Sequence, residues 1–293
     1  MDALPFTKSG CFPLGTERAL LSRAAATLAV VLLSLSRALA ADAISACAAA
    51  LPWALPQNPV LAAMLPICHA HGSGGYASFV DATLKVPRLV VYRLDRNHTI
   101  GCSPRPRSFH AELDLPPEAR ATASDYSNSG YQLGHMAPNK DFAWDEDAQH
   151  DSFSMANVAP QVAGLNTQQW EHLEETVRAW AWMRGTVTVY VGPELGAGPR
   201  PVLQGIGAHH VAVRTAFWKI IADPRTGEMI GFAMPQQPIA KGDLAPWQVP
   251  LSGIWHISGM MLPGAGPAPS QDRGPLWPAD LPSYHAAARS ACR

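Results

Sequence analysis

Three short stretches carry the fold and the chemistry of this chain: Gly130-Tyr131-Gln132-Leu133-Gly134-His135-Met136-Ala137-Pro138-Asn139, Asn157-Val158-Ala159-Pro160-Gln161, and Leu165-Asn166-Thr167-Gln168-Gln169-Trp170-Glu171-His172-Leu173-Glu174. In the first, His135 follows a glycine and precedes Pro138, a local shape that can present an imidazole at the end of a strand. The third opens an amphipathic pattern. Trp170, Leu173, Val177 and Trp180 recur at spacings of three and four, which predicts a helix from Asn166 to Trp182. At about 100° per residue, Glu174 falls about 80° from Asn166, on the flank of the apolar face, and Arg178 lies one turn further on.

Outward from this core the pattern changes to strands. Arg88–Leu94 (RLVVYRL) and Thr186–Val191 (TVTVYV) have strand composition, the second ending at Gly192-Pro193. Val211–Ala222 and Glu228–Met234 flank Asp223-Pro224-Arg225-Thr226-Gly227, a turn sequence that predicts a hairpin. Ser103–Glu118 is Pro-rich and polar and reads as a surface loop; Pro263–Pro282 is Gly/Pro-rich and reads as a long excursion. Strands interrupted by one strong helix predict a single α+β domain with an antiparallel sheet.

The N-terminus reads as a targeting segment. Lys8, Arg18 and Arg23 precede an uncharged apolar run, Ala24–Ser36, and then Ala38-Leu39-Ala40, the order of a secretory signal peptide over residues 1–40. The run is shorter than the ~20 apolar residues a spanning helix needs, so no membrane association is expected after cleavage. Export would place residues 41–293, expected to form a single domain, in the periplasm or outside the cell. Cleavage would also remove Cys11, leaving Cys47, Cys68, Cys102 and Cys292. An even number in an exported chain suggests two disulfides, with Cys47–Cys68 and Cys102–Cys292 favoured among the three possible pairings. A zinc site is the competing reading, but without a C-x-x-C pair it would rest on Cys68-His69-Ala70-His71 alone.

Charge excludes some functions. Twenty-two Lys+Arg against 23 Asp+Glu, at 47% hydrophobic and 15% charged, exclude both a basic coat for nucleic acid and an acidic disordered chain. Cleavage at residue 40 removes four of the basic and two of the acidic side chains and leaves the remainder at −3. Any grip on polyanions then rests on local cations such as Arg88, Arg93, Arg105, Arg107 and Lys140.

Residue chemistry alone leaves the site open. A neutral histidine near an amide and a carboxylate suits proton transfer beside a hard divalent cation. Equally, Asn166 could be a helix cap, and Glu174 with Arg178 a surface pair contributing a few tenths of a kcal/mol.

Taken together, the order G-H-x-x-P, N-x-x-P-Q and L-N-x-x-x-W-x-x-L-E resembles the DNA/RNA non-specific endonucleases with their ββα-metal (His-Me finger) site. Val187–Pro193, Thr215–Lys219 and Ile254–Gly259 follow in matching order, so the resemblance covers roughly residues 76 to 262. It implies a central antiparallel sheet flanked by helices, an endonuclease acting on DNA and RNA, and Mg²⁺ as cofactor, with Mn²⁺ as its substitute. By the same resemblance His135 is the general base, Asn166 a metal ligand and Glu174 a holder of the metal's waters. Asn157 orients the histidine loop, Arg178 and Arg107 contact phosphate, and Lys140 supports substrate binding. One departure stands out. Where the family usually has D-R-G-H, this chain has Gln132-Leu133-Gly134-His135, and loss of one aimed donor can cost about 3 kcal/mol in the transition state. Two readings follow: an active endonuclease, or a homologue that kept the fold and binds nucleic acid or a protein without cutting. An inhibitor protein, a homodimer, and preference between DNA and RNA stay open.

Overall fold

In the computed structural model the expected strand at Arg88–Leu94 is the middle of β3 (Val86–Asp95), and its residues alternate between two cores. Val90, Tyr92 and Leu94 pack on one side of the sheet, Leu89 and Val91 on the other. A sheet covered on both faces selects near-continuous apolar strands, which is why RLVVYRL and TVTVYV are so hydrophobic. The structure describes residues 45–47, 49–51, 60–194, 204–260 and 274–292. The expected signal segment and most of the Gly/Pro-rich excursion lie outside them.

The main sheet is antiparallel throughout, in the order β1-β2-β3-β6-β9-β10-β11. Its other strands are β1 (Leu65–His71), β2 (Gly74–Asp81), β6 (Thr186–Pro193), β9 (Ala216–Ala222), β10 (Met229–Pro235) and β11 (Gln248–Val249). The expected hairpin is β9–β10, turning through Asp223–Gly227. The stretch Val211–Ala222 is two strands, not one: β8 (Val211–Val213) pairs with β7 (Gln204–Ile206) in a separate ribbon, and the chain breaks at Arg214-Thr215 before β9. Among the described residues no helix is long and apolar enough to cross a membrane.

Three helical segments shape the functional side: α1 (Glu146–Asp151), α2 (Glu171–Arg184), and a π-helical turn, Leu165–Trp170, that leads into α2. The helix predicted from Asn166 is therefore α-helical only from Glu171. Leu173, Val177 and Trp180 seat α2 on the sheet core, as their spacing predicts. Further on, α3 (Leu251–Ser258) covers the other face and α4 (Leu281–Ala291) packs back on α2. Disulfides join Cys47 to Cys68 (Cα–Cα 5.7 Å) and Cys102 to Cys292 (5.4 Å), the favoured pairing. With Cys68 so bonded, the zinc reading of the Cys68–His71 run fails.

Candidate active site

His135 is the last residue of β4 (Gln132–His135), which pairs with β5 (Val158–Gln161) in a two-stranded ribbon apart from the main sheet. Gly134 is required there, because a Cβ would collide with the Gln161 side chain. The loop after His135 is stapled by Asn157. The Ala137 N–H donates to Asn157 Oδ1 and Asn157 Nδ2 donates to the carbonyls of Ala137 and Ser152, each at 2.8 Å. Asn157 is fully buried, so it acts on the loop and not on a ligand.

Helix α2 and its π turn bring the other side chains. The wider turn places the Asn166 amide beside Gln132, and Asn166 Nδ2 donates to Gln132 Oε1 at 2.9 Å. Its Oδ1 is thereby left as an oxygen donor; the amide is not spent on capping a helix. Arg178 is buried and the Glu174 side chain is only 12% exposed, contrary to a surface pair. Arg178 Nη1 lies 2.8 Å from Asp141 Oδ1, and Asp141 outweighs the burial that would otherwise weaken the arginine's charge. Glu174 Oε1 faces Lys219 Nζ at 3.8 Å. Burial pushes the Glu174 carboxyl upward and the Lys219 ammonium downward, each opposed by the charge of the other.

These residues meet in one cleft of about 160 Å³, lined by Arg105, Leu133, His135, Lys140, Asn166, Glu171, Glu174 and Arg178 among others. His135 is held between Phe109 and Phe153, each with its ring centroid 4.9 Å away. Burial, with the Arg105 guanidinium adding to it, pushes the imidazole down to about 3, and its buried Nε2 has no hydrogen-bond partner. The ring is a neutral proton acceptor at ordinary pH. An amide oxygen and a carboxylate at the same cleft are hard donors suited to Mg²⁺, which keeps several waters and needs few protein ligands. The donor set therefore fits such an ion.

Not every expected residue reaches the cleft. Arg107 lines a separate hollow with His110 and His150, while Arg105 from the same loop lines the cleft. Arg105 lies over the Phe153 ring at 5.0 Å and makes no ion pair among the described residues. Arg178 lines the cleft and is paired there with Asp141 at 2.8 Å. Lys140 sits exposed at the rim, 3.4 Å from Glu171. Of the cations named as a stripe, Arg93 pairs instead with Asp95 at 3.5 Å, on β3. Lys219 was missed as a functional residue. A lysine inside Phe217-Trp218-Lys219-Ile220-Ile221 alternates to the same side as Phe217 and Ile221, facing α2, and that placement was its legible signal. It is fully buried, with Nζ 4.6 Å from the Trp170 ring centroid.

Comparison with known proteins gives concordant findings. A family model described as DNA/RNA non-specific endonuclease matches residues 68–265. Mitochondrial endonuclease G of Bos taurus is 33% identical over 164 residues, 53% of this chain and 55% of that protein. Nuclease C1 of Cunninghamella echinulata var. echinulata is 31% identical over 177 residues, 57% of this chain and 67% of its own. The chain thus spans only about half the length of the bovine relative. A crystal structure of the EndoG/EndoGI complex, concerned with the mechanism of EndoG inhibition, contains a chain that superimposes with a TM-score of 0.61. Its identity is 27%, covering 67% of this chain and 84% of that one. These relatives correct one expectation. The bovine endonuclease G and a Schizosaccharomyces pombe nuclease, 27% identical over 215 residues, are mitochondrial, which overturns the reading of an exported, periplasmic or secreted protein.

Proposed function

We propose, from the premise that this chain belongs to the DNA/RNA non-specific endonuclease family, that its cleft hydrolyses phosphodiester bonds of DNA and RNA with the aid of Mg²⁺, Mn²⁺ substituting. The observation that carries the reading is the convergence of His135, Asn166 and Glu174, from a ribbon and a helix far apart in sequence, on one cleft. Residues 41–293 are taken as one nuclease domain, its C-terminal helix tied on by Cys102–Cys292.

His135, neutral and wedged between two phenylalanines, takes the proton of the attacking water as its oxygen bonds to phosphorus. The P–O3′ bond breaks, its electron pair stays on O3′, and O3′ takes a proton from solvent to give a 3′-hydroxyl and a 5′-phosphate. Asn166 Oδ1 and the Glu174 carboxylate would hold the metal ion, which when bound offsets charge on the non-bridging and leaving oxygens. Burial pushes the Glu174 carboxyl up to about 7, and the charges of Lys219 and Arg178 oppose that rise. Asn157 holds the backbone after His135, so the ring meets the phosphate in one orientation. Arg105 donates to the phosphate where Leu133 cannot. The likeness to an EndoG chain solved with EndoGI supports an inhibitor protein as a partner.

Plasmid nicking and RNA cleavage, with Mg²⁺ or with EDTA, test this. Wild type should cut both with Mg²⁺ only, and His135→Ala should lose about 10²–10⁴ in rate. Intact plasmid and RNA in the presence of either Mg²⁺ or Mn²⁺ would leave the second reading, a binding protein that does not cut.

A further inference from the structure

Separated from the cleft by the Phe109–Phe153 contact, a second group of ionisable side chains converges from three distant segments. Asp151, the last residue of α1, is its hub. Its Oδ2 is 2.9 Å from both His69 Nδ1 and His71 Nε2, on the edge strand β1. Its Oδ1 is 3.4 Å from His150 Nδ1. His69 Nε2 reaches Glu112 Oε2 at 3.0 Å, and Ser154 Oγ donates to the same carboxylate oxygen at 2.7 Å. His110 lies opposite His150. Their rings are nearly parallel, 7° apart, with centroids at 4.5 Å.

We propose that His110, His150 and Asp151 form a binding site for a borderline divalent transition-metal ion of the zinc class, distinct from the oxygen-rich cleft at Asn166 and Glu174. Three observations point to it. One potential ligand atom from each of the three residues lies within 4.8 Å of the others. Tetrahedral zinc with Zn–N of about 2.0–2.1 Å needs ligand atoms roughly 3.3 Å apart, so modest side-chain rotations close the set. His110 has a buried ring nitrogen, Nδ1, with no hydrogen-bond partner, an atom whose burial lacks compensation unless something is bound. Finally, a hollow of about 450 Å³ opens over His110 and His150, and Glu146, Asp147 and Arg107 also line it, two carboxylates against one guanidinium.

The chemistry selects the ion. Two imidazoles and one carboxylate suit zinc, nickel or copper, whereas Mg²⁺ prefers oxygen. With His110 and His150 facing an open hollow, a set of three protein ligands leaves a fourth position for water. The ligands are partly preorganised. His69 and His71 fix the orientation of Asp151, the role that hydrogen-bonded partners of ligands play in known sites. The backbone of His110 is fixed by donation to Phe153 O at 3.1 Å and acceptance from Met155 N at 2.9 Å. An occupied site would clamp the loop carrying Arg105 onto α1.

The test uses the full chain stripped with chelator and titrated with Zn²⁺ or Co²⁺. The expected result is one equivalent bound, with ligand-field bands of four-coordinate Co²⁺ and a higher melting temperature with Zn²⁺. His150→Ala and His110→Ala should each weaken binding at least about a hundredfold. Asn166→Ala, in the other site, should leave it unchanged. His150 is exposed, so its replacement leaves the fold intact and a loss of binding reports on the ligand. No stoichiometric Zn²⁺ or Co²⁺ binding to the wild type would overturn the proposal, as would binding that survives in the His110→Ala/His150→Ala double variant. Neither readout involves nucleic acid, so failure here leaves the nuclease reading standing, and failure of that reading leaves this one.

Discussion

Two histidines of this fold, His135 buried and His69 half-buried, sit in opposite electrostatic surroundings. His135 is packed between aromatic rings with a guanidinium as its nearest charge, and burial with Arg105 drives it down to about 3. Burial lowers His69 too, but hydrogen bonds and charges from Asp151 and Glu112 outweigh it and raise the ring to about 9. One is a neutral acceptor and the other a fixed cation bridging two carboxylates. Burial alone therefore does not decide what a histidine does; the partners that share its burial do. The region around His69 builds a scaffold from charge pairs, while the region around His135 withholds such pairs from the group that must exchange a proton.

The hardest test of this contrast is to orphan a buried charge next to the cleft. Asp141→Ala leaves Arg178 buried without its carboxylate, since their pair is 2.8 Å apart and both side chains are nearly inaccessible. Loss of one partner of a buried pair costs about 3–5 kcal/mol, so chemical denaturation should show a fall of that size. A change below about 1 kcal/mol would mean that water reaches Arg178 and that the cleft wall is not the dry support described.

Arg105→Ala acts on the other side of the comparison. It should lower kcat/KM about a hundredfold, or about 3 kcal/mol, by removing a donor aimed at the phosphate. It should also raise the pKa of His135, because the arginine opposes a charged imidazole. In the wild type the ring stays neutral down to about pH 3, so the acid limb of activity should not follow an ordinary imidazole near 6.5. The sign for stability is the same: between about 6.5 and 3 the unfolded chain takes up a proton that the fold refuses, and stability falls with pH through that window. In Arg105→Ala the lower edge of the window should move upward. A pH–rate profile in which the variant matches the wild type in shape would remove Arg105 from the site.

Glu112→Gln tests the cationic histidine. The amide keeps the shape and an oxygen that can accept from Ser154 Oγ, but removes the charge of one of the two carboxylates that hold His69. A loss of about 1–3 kcal/mol is expected in denaturant, with nuclease activity per folded molecule unchanged. A large activity loss at unchanged stability would instead tie this cluster to the cleft.

How much of this could be read beforehand follows the same division. Elements whose reason is local were legible: β3, β6, the β9–β10 hairpin and the seat of α2 each announce themselves through apolar runs, turn residues or a 3–4 spacing. Strand β1 did not, because Leu65–His71 carries two histidines and borders only β2, so its polar side chains find carboxylates from Glu112 and Asp151, far along the chain. The π turn was hidden as well. Asn166 lies in a wide turn that meets Gln132 across space, and nothing in a helical pattern marks the departure. His135, Asn166 and Glu174 were legible because their motifs are ordered and spaced. The fates of Arg178, Arg107 and Arg105 were not, since arginines in one loop or on one helix differ only in which carboxylate or ring they meet.

The smallest expected effect concerns Leu133. In β4, residues alternate across the ribbon, so Leu133 and His135 point to the same side, and both line the cleft. An arginine at 133 would enter the cleft beside the imidazole, where its charge can meet a phosphate. With Arg105 already present, the added donor is partly redundant, and Leu133→Arg should raise kcat/KM by only about tenfold, roughly 1.4 kcal/mol. In an Arg105→Ala background the same substitution should recover more, because the two guanidiniums would serve one anion and their effects are coupled. The four rates of this cycle measure that coupling. Additive effects would show that the two positions address different parts of the substrate, and that the chain's departure at Leu133 is not compensated by Arg105.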